Sequence, residues 1–328
     1  MQFSALIVGC GNIAGGFDSL RTPDQPALTH AGAYTRHGGF RIAACVEPDE
    51  GRRQEFMRRW DVRLGFTSIQ DVVAARQAFD VVSVCSPTAA HHQDVLQAIA
   101  LKPRIIFCEK PATTHSVRTK ELMNACQKES ITLVVNYTRR WDPSVSQLAS
   151  ELCDGSWGAV RSATGIYTKG VFNNGSHMID LVHILFGGCE VCSVGQPVHD
   201  FWPDDPTVPA VFQTRSGIEF QLACGHAGDF SVFELQVVTQ QGVVCMEDGG
   251  LHWRVRRPES SRMFSGYRTL GEGICHVGRL QEAMGGAVAE IHKLLQGGVR
   301  ISCSGEDALA TQIVCESVYT LAQKQRAD

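Results

Sequence analysis

The sequence predicts an α/β fold in two domains: an N-terminal, doubly wound parallel sheet, then an α+β domain built on a large, mainly antiparallel sheet. Three observations predict it. Over the first 135 residues short apolar runs alternate with helical patterns, the order of βαβ units. A strand followed by glycines, Leu6-Ile7-Val8-Gly9-Cys10-Gly11-Asn12-Ile13-Ala14, stands near the chain start. After residue 140 the texture changes to long alternating runs broken by turns, as antiparallel strands require.

Each element follows from a local pattern. Segments 3–8, 41–46, 81–85, 105–108 and 131–135 are rich in Val, Ile and Ala and read as buried strands. Between them, 49–60, 68–76, 89–101 and 116–129 have helical spacing and capping residues. Residues 17–30, with two prolines and several polar side chains, read as an insertion between the glycine turn and the next helix. Trp141-Asp142-Pro143 opens a helix to about Leu152 that links two domains, 1–137 and 138–328. The second is expected to hold strands at 159–168, 191–199, 208–214, 218–224, 232–239, 243–247 and 251–255, and helices at 175–186, 276–295 and 304–323. Arg215-Ser216-Gly217 and Gln240-Gln241-Gly242 supply hairpin turns.

Composition excludes several classes of function. The 328 residues are 44% hydrophobic and 20% charged, with a net charge of −4, so there is core enough for two domains. No cationic surface suits nucleic acid, which needs clustered Lys and Arg; the groups Arg52-Arg53 and Arg254-Arg256-Arg257 are short. No apolar run approaches the roughly 20 residues of a membrane span. Thirteen dispersed cysteines, and a first strand that starts almost at Met1, lead to the expectation of reduced thiols in the cytoplasm. Cys189-Glu190-Val191-Cys192 lacks a second ligand pair at zinc spacing. His177 and His183, at i and i+6 of one helix, point about 120° apart. No metal site is expected.

The chemistry concentrates in two places. Gly9-x-Gly11-x-x-Ala14 after a strand, opening a helix, is the context of a dinucleotide-binding Rossmann turn: Gly9 allows the tight turn and Gly11 lets the backbone approach a pyrophosphate. Glu47 ends the second strand in Ala44-Cys45-Val46-Glu47-Pro48. A carboxylate there accepts from ribose hydroxyls and repels a 2′-phosphate, which favours NAD; Arg52 and Arg53 keep NADP open. The second place is Glu109-Lys110-Pro111, directly after Ile105-Ile106-Phe107-Cys108. It puts a lysine at the carboxyl edge of a late strand, where open α/β sheets bind ligands.

These motifs resemble the Gfo/Idh/MocA oxidoreductase family. The resemblance runs through Gly9-Cys10-Gly11-Asn12-Ile13-Ala14, Cys85-Ser86-Pro87-Thr88 with His91, Glu109-Lys110-Pro111, Asn136-Tyr137-Thr138-Arg139-Arg140-Trp141-Asp142-Pro143 and Gly175-Ser176-His177-Met178-Ile179-Asp180. It implies cofactor contacts at Gly9, Gly11, Asn12, Ile13, Glu47, Ser86, Pro87, Thr88, His91, Glu109 and Lys110. It implies that Lys110 stabilises developing alkoxide charge and that His177 serves as general base. Tyr137, Arg139, Asn173, Asp180, His177 and Lys110 are then the substrate contacts. One departure stands out: the residue four before His177 is Asn173, where the family has aspartate. An amide orients a ring or a substrate but cannot stabilise imidazolium by charge.

The reading is an NAD(P)-dependent dehydrogenase of a sugar, sugar derivative or cyclitol. The alternatives are a dinucleotide-binding sensor and a redox-assisted lyase or glycosidase with tightly held NAD. A homodimer or homotetramer is expected, joined through the open face of the second sheet, with Phe220, Leu222 and Val232 as its apolar residues.

Overall fold

The computed structural model describes residues 2–298 and 300–325. They form two compact units, one from the first strand to Asp142 together with Gln281–Ala310, the other Pro143–Leu280 together with the chain from Thr311. Where the sequence suggested a single division at 137/138, the chain thus leaves the first unit, returns to it, and leaves again.

The first unit is a six-stranded sheet of β1 (Phe3–Val8), β2 (Phe40–Val46), β3 (Leu64–Phe66), β4 (Val81–Val84), β5 (Ile105–Cys108) and β6 (Thr132–Val135) in the order β3-β2-β1-β4-β5-β6. Every pairing is parallel. The order reverses between β1 and β4, and that switch point is where doubly wound sheets bind ligands. β4 and β5 are buried along their whole length, which is why they read as unbroken apolar runs. The helices are α1 (His30–His37), α2 (Glu50–Trp60), α3 (Ile69–Ala74), α4 (Thr88–Ile99) and α5 (Ser116–Lys128). Their caps are local: Asp49 accepts from the Arg52 N–H, and Ser68 with Asp71 makes a capping box. β3 was not predicted, because three residues with an exposed Leu64 leave no periodic signal.

The glycine turn does not open a helix directly. One helical turn forms, with the Gly15 and Gly16 N–H groups donating to the Gly11 carbonyl, and then the insertion leaves the axis. At its far end the His30 N–H donates to the Ile13 carbonyl at 3.2 Å and the Ala31 N–H to that of Ala14 at 2.9 Å. The insertion is therefore looped out of a helix that resumes where it stopped. Buried Asp18 closes the loop: its carboxylate accepts from the Leu28 and Thr29 N–H groups and from Thr29 Oγ1.

In the second unit α6 (Pro143–Cys153) leads to β7 (Val160–Tyr167), a π-helical stretch (Gly170–Gly175) and α7 (Ser176–Phe186). There follow β8 (Cys189–Val194), β9 (Val198–Trp202), β10 (Asp205–Thr207), β11 (Ala210–Thr214), β12 (Glu219–Cys224), β13 (Phe233–Thr239), β14 (Gly242–Glu247), β15 (His252–Arg256), β16 (Pro258–Ser260), β17 (Arg268–Leu270) and β18 (Ile274–Val277). Eight of these make one sheet, β18-β15-β14-β13-β7-β12-β11-β8, antiparallel except between β12 and β7. The last helices are α8 (Ala283–Leu295), which belongs to the first unit, and α9 (Gly305–Gln325).

Three expectations change. The strand at 191–199 is two, β8 and β9: the Gly195 N–H gives the β8–β11 ladder its last bond, to the Pro209 carbonyl, and Pro197 has no N–H to carry it further. The helix expected from His276 starts at Ala283; His276 instead pairs with Trp253 in an edge strand. Phe220 and Leu222 are not on an open face. They are fully buried with Met178, Ile179 and Val182 of α7 in the second unit's core, while their strand neighbours Glu219 and Gln221 are exposed. Val232 precedes β13 and is half-buried.

Candidate active site

The carboxyl edge of the first sheet is built by its own ladder running one residue past each strand. The Gly9 N–H donates to the Val46 carbonyl, Cys85 to Val8, Glu109 to Val84, Asn136 to Cys108 and Glu47 to Phe66, at 2.7–3.0 Å. These bonds set Gly9, Glu47, the Cys85–Ser86 step, Glu109 and Asn136 along a single edge. Gly9 has φ +83°, and a Cβ there would stand 2.7 Å from the Ser86 backbone nitrogen, so the turn needs glycine on both conformational and steric grounds. At Gly11 a Cβ would meet nothing within 4 Å: space lies open beside the backbone at the point where the fingerprint approaches a pyrophosphate. Asn12 is exposed and Ile13 half-buried on the same turn.

Glu47 is buried, with Oε2 3.0 Å from the Cys10 N–H and Oε1 3.1 Å from the Asp49 N–H. It ties the end of β2 to the glycine turn. Arg52, more than half exposed, lies 3.6 Å from Oε1.

After β4, Ser86 Oγ donates to Asp94 at 2.5 Å, and Pro87 caps α4, which Thr88 begins. Burial pushes the Asp94 carboxyl up, against the Ser86 bond and the nearby His91. The His91 ring is buried between two carbonyls, Nδ1 2.9 Å from that of Pro111 and Nε2 2.8 Å from that of Ser86. It holds the β4 turn against the lysine turn.

Glu109 Oε1 accepts from His30 Nε2 at 2.8 Å and from Asn136 Nδ2 at 2.6 Å. Burial alone raises this carboxyl; the bonds from His30 and Asn136 and the charges of His30 and Lys110 outweigh it and hold it below its ordinary value. Lys110 follows, half-buried, in a turn whose Lys110–Pro111 peptide is cis. Beyond β6, Tyr137 is buried and Arg139 half-buried, and Arg140 fixes their 3-10 turn through the Ser302 carbonyl and Asp307.

The second unit carries the other predicted residues. Asn173 lies in the π-helical stretch and His177 in the first turn of α7, both half-buried. The backbone N–H groups of Phe172 and Asn173 donate to Asp205, that of Lys169 to Asp200, and that of Gly170 to Thr207. Asp180 is buried, with Oδ1 3.2 Å from Thr311 Oγ1 on α9; the same hydroxyl lies 3.3 Å from His183 Nδ1. Among the described residues no group of three or more His, Cys, Asp or Glu is arranged to hold a metal ion.

Sequence reasoning missed His30, the role of Asn136, and Asp205. The signals were faint: a histidine within the small-residue run His30-Ala31-Gly32-Ala33, and a polar residue directly after a strand end.

Residues 3–137 match the Gfo/Idh/MocA family, described as an oxidoreductase family with an NAD-binding Rossmann fold. They are a Gfo/Idh/MocA oxidoreductase domain. The likeness extends beyond it. Inositol 2-dehydrogenase of Rhizobium meliloti (strain 1021) is 23% identical over 78% of this chain and 82% of its own. D-apiose dehydrogenase of Paraburkholderia graminis is 20% identical over 99% and 89%. The fold matches the WlbA dehydrogenase of Bordetella pertussis, solved with NADH and UDP-GlcNAcA, at a TM-score of 0.78 and 16% identity, covering 99% of this chain and 98% of that one. An oxidoreductase from Agrobacterium radiobacter, solved with NAD+, L-tartaric acid and magnesium, matches at 0.78 and 17%, covering 99% and 97%. The cofactor of the oxidoreductase domain is a nicotinamide dinucleotide, and the residues present fit it: a tight turn at Gly9, open space at Gly11, and a carboxylate at the end of β2.

Proposed function

We propose that the protein is an NAD(P)-dependent oxidoreductase moving a hydride to or from the hydroxyl- or keto-bearing carbon of a sugar, sugar derivative or cyclitol. The observation that carries this reading is the carboxyl edge of the first sheet, where the glycine turn and Glu47 on one side of the switch point share that edge with the Glu109–Lys110 turn on the other. Relatives named as inositol and apiose dehydrogenases support the substrate class.

In this reading Gly9, Gly11, Asn12 and Ile13 receive the pyrophosphate, Glu47 the adenosine ribose, and Ser86, Pro87 and Thr88 the nicotinamide ribose. The dinucleotide, when bound, supplies the two-electron chemistry. Lys110 donates to the reacting oxygen and stabilises the negative charge that grows on it. His177 takes the hydroxyl proton in oxidation and returns it in reduction. Asn173, Tyr137, Arg139 and Asp180 orient the substrate; Asn173, being neutral, positions without adding charge. NAD is the preferred cofactor because Glu47 is a carboxylate.

The same reading includes self-association as a homodimer or homotetramer, supported by apolar side chains exposed on outer strands, Ile274 and Val277 of β18 and Phe201 and Trp202 of β9. It includes a reducing, cytoplasmic setting, supported by thirteen free cysteines; no helix of the described residues is long and apolar enough to cross a membrane. The decisive experiment is a panel of sugars, sugar acids and cyclitols assayed for net reduction of NAD and NADP. Turnover of a panel member supports the reading. Aglycone release without net reduction would replace it with lyase or glycosidase chemistry.

A further inference from the structure

We infer that His30 is a positioning residue: through the Glu109 carboxylate it holds the Glu109-Lys110-Pro111 turn in the setting that the nicotinamide end of the cofactor meets. The inference rests on the dinucleotide reading above and adds to it a residue that contacts neither cofactor nor substrate.

His30 is completely buried, and a buried imidazole must satisfy both nitrogens. It does so through a chain of side chains. Nε2 lies 2.8 Å from Glu109 Oε1 and Nδ1 3.2 Å from Ser83 Oγ, which lies 2.8 Å from the Tyr34 hydroxyl. An ionised carboxylate only accepts, so Nε2 carries the hydrogen. Nδ1 meets the Ser83 hydroxyl, and that hydroxyl meets the Tyr34 hydroxyl in turn. The chain Tyr34–Ser83–His30–Glu109 thus ends on the carboxylate. Burial raises the Tyr34 phenol above its ordinary value, which keeps it protonated and neutral at the head of the chain.

The geometry leaves Glu109 little freedom. The His30 ring packs on Phe107 of β5, centroids 4.5 Å apart, two residues before Glu109. Asn136 grips the same oxygen from the end of β6. The Glu109 N–H is held by the Val84 carbonyl, and the Lys110 N–H lies 3.4 Å from Glu109 Oε2. Both backbone and carboxylate of the residue before the functional lysine are thus fixed. His30 is also the residue whose N–H closes the looped-out helix onto Ile13. One residue joins the glycine turn, by its backbone, to the lysine turn, by its side chain.

The test compares NADH with ADP-ribose, which lacks nicotinamide, by calorimetry on the full-length wild type, His30→Leu and His30→Gln, with melting temperatures to establish folding. Removing one hydrogen bond to a charged group should weaken NADH binding by about tenfold in His30→Leu while ADP-ribose affinity stays within about twofold. His30→Gln, whose amide can still donate to Glu109, should recover most of the loss. Should His30→Leu fail to fold, Ser83→Ala, which removes only the hydroxyl behind the ring, should weaken NADH selectively in the same direction. Equal losses for both ligands, or no loss for NADH in a folded variant, would overturn the role assigned to His30. A wild type that binds neither ligand would instead overturn the cofactor reading, and the inference with it.

Discussion

The Asp205 carboxylate accepts the backbone N–H of Asn173 at 2.9 Å, and that of Phe172 at the same distance. The first N–H groups of a helical run have no partner within it. The β9–β10 hairpin supplies partners from outside: Asp200 for Lys169, Thr207 for Gly170, and Asp205 for the next turn. Negative charge at that end also complements the dipole of the run that continues into α7. The loop bearing Asn173 is therefore set by residues about thirty positions downstream.

Asp205→Ala should accordingly lower stability by about 1–3 kcal/mol, the cost of leaving such donors unmet. It should also raise the apparent KM for substrate, because Asn173 loses its anchor. Thermal unfolding and steady-state kinetics of the same preparation check both. A variant with unchanged melting temperature and KM would show that the hairpin does not set the loop.

Turnover should depend most on Lys110, then His177, then Asn173. Loss of a donor to a developing oxyanion typically costs about 2.7–4 kcal/mol, so Lys110→Met should reduce kcat by roughly 10²–10³-fold. A general base contributes about 10²–10⁴-fold, but solvent can replace part of it, which places His177→Ala second. Asn173→Ala should move KM more than kcat, whereas Asn173→Asp should raise the rate at neutral pH by giving imidazolium a negative neighbour. Near-normal kcat in Lys110→Met would remove the mechanism proposed for this site.

The sequence made the first sheet legible because its information is local. β5 was read at its observed bounds since a central parallel strand is apolar throughout, and Gly9 and Glu47 stand at strand ends that the alternation locates. His30 was illegible for the opposite reason: the insertion separates it from the glycine turn, and only the looped-out helix brings it back. Asp205 escaped notice because a side chain that caps a remote backbone leaves no spacing pattern. Phe220 and Leu222 were read as apolar strand residues correctly but assigned to the wrong face, since alternation defines two faces without saying which one meets α7.

Glu109 makes folding stability depend on acid in a defined direction. Its carboxyl is held below the ordinary value of 4.5 in the folded protein. Its contribution is therefore fully present above the unfolded value and lost as pH falls through the lower, folded one. Glu109→Gln should be less stable than wild type at pH 7, by about 1–3 kcal/mol from the weakened bonds to His30 and Asn136. The gap should close on acidification below about pH 4. Urea unfolding of both proteins at neutral and acid pH measures it; a gap that stayed constant would mean that the carboxylate charge is not what the His30 and Asn136 bonds stabilise.

NAD should bind more tightly than NADP, and Glu47 should be the reason. The buried Glu47 carboxylate already holds the Cys10 N–H at 3.0 Å, so it cannot turn away to admit a second negative group. A 2′-phosphate brought to the end of β2 would face it directly, while a 2′-hydroxyl could donate to it. Arg52, 3.6 Å from the carboxylate and largely exposed, is screened by solvent and offsets the repulsion only in part. Ligand at 100 times its dissociation constant should stabilise the protein by about 2.7 kcal/mol, so at matched concentration NAD should give the larger thermal shift. Glu47→Ala is a poor test, because it also removes the bond that orders the glycine turn. Glu47→Gln keeps the shape and a hydrogen-bond acceptor for Cys10 while deleting the charge. It should narrow the NAD-to-NADP affinity ratio by roughly tenfold, about 1.4 kcal/mol, chiefly by improving NADP. A wild type stabilised more by NADP than by NAD, or a ratio unmoved in Glu47→Gln, would assign cofactor choice to another residue.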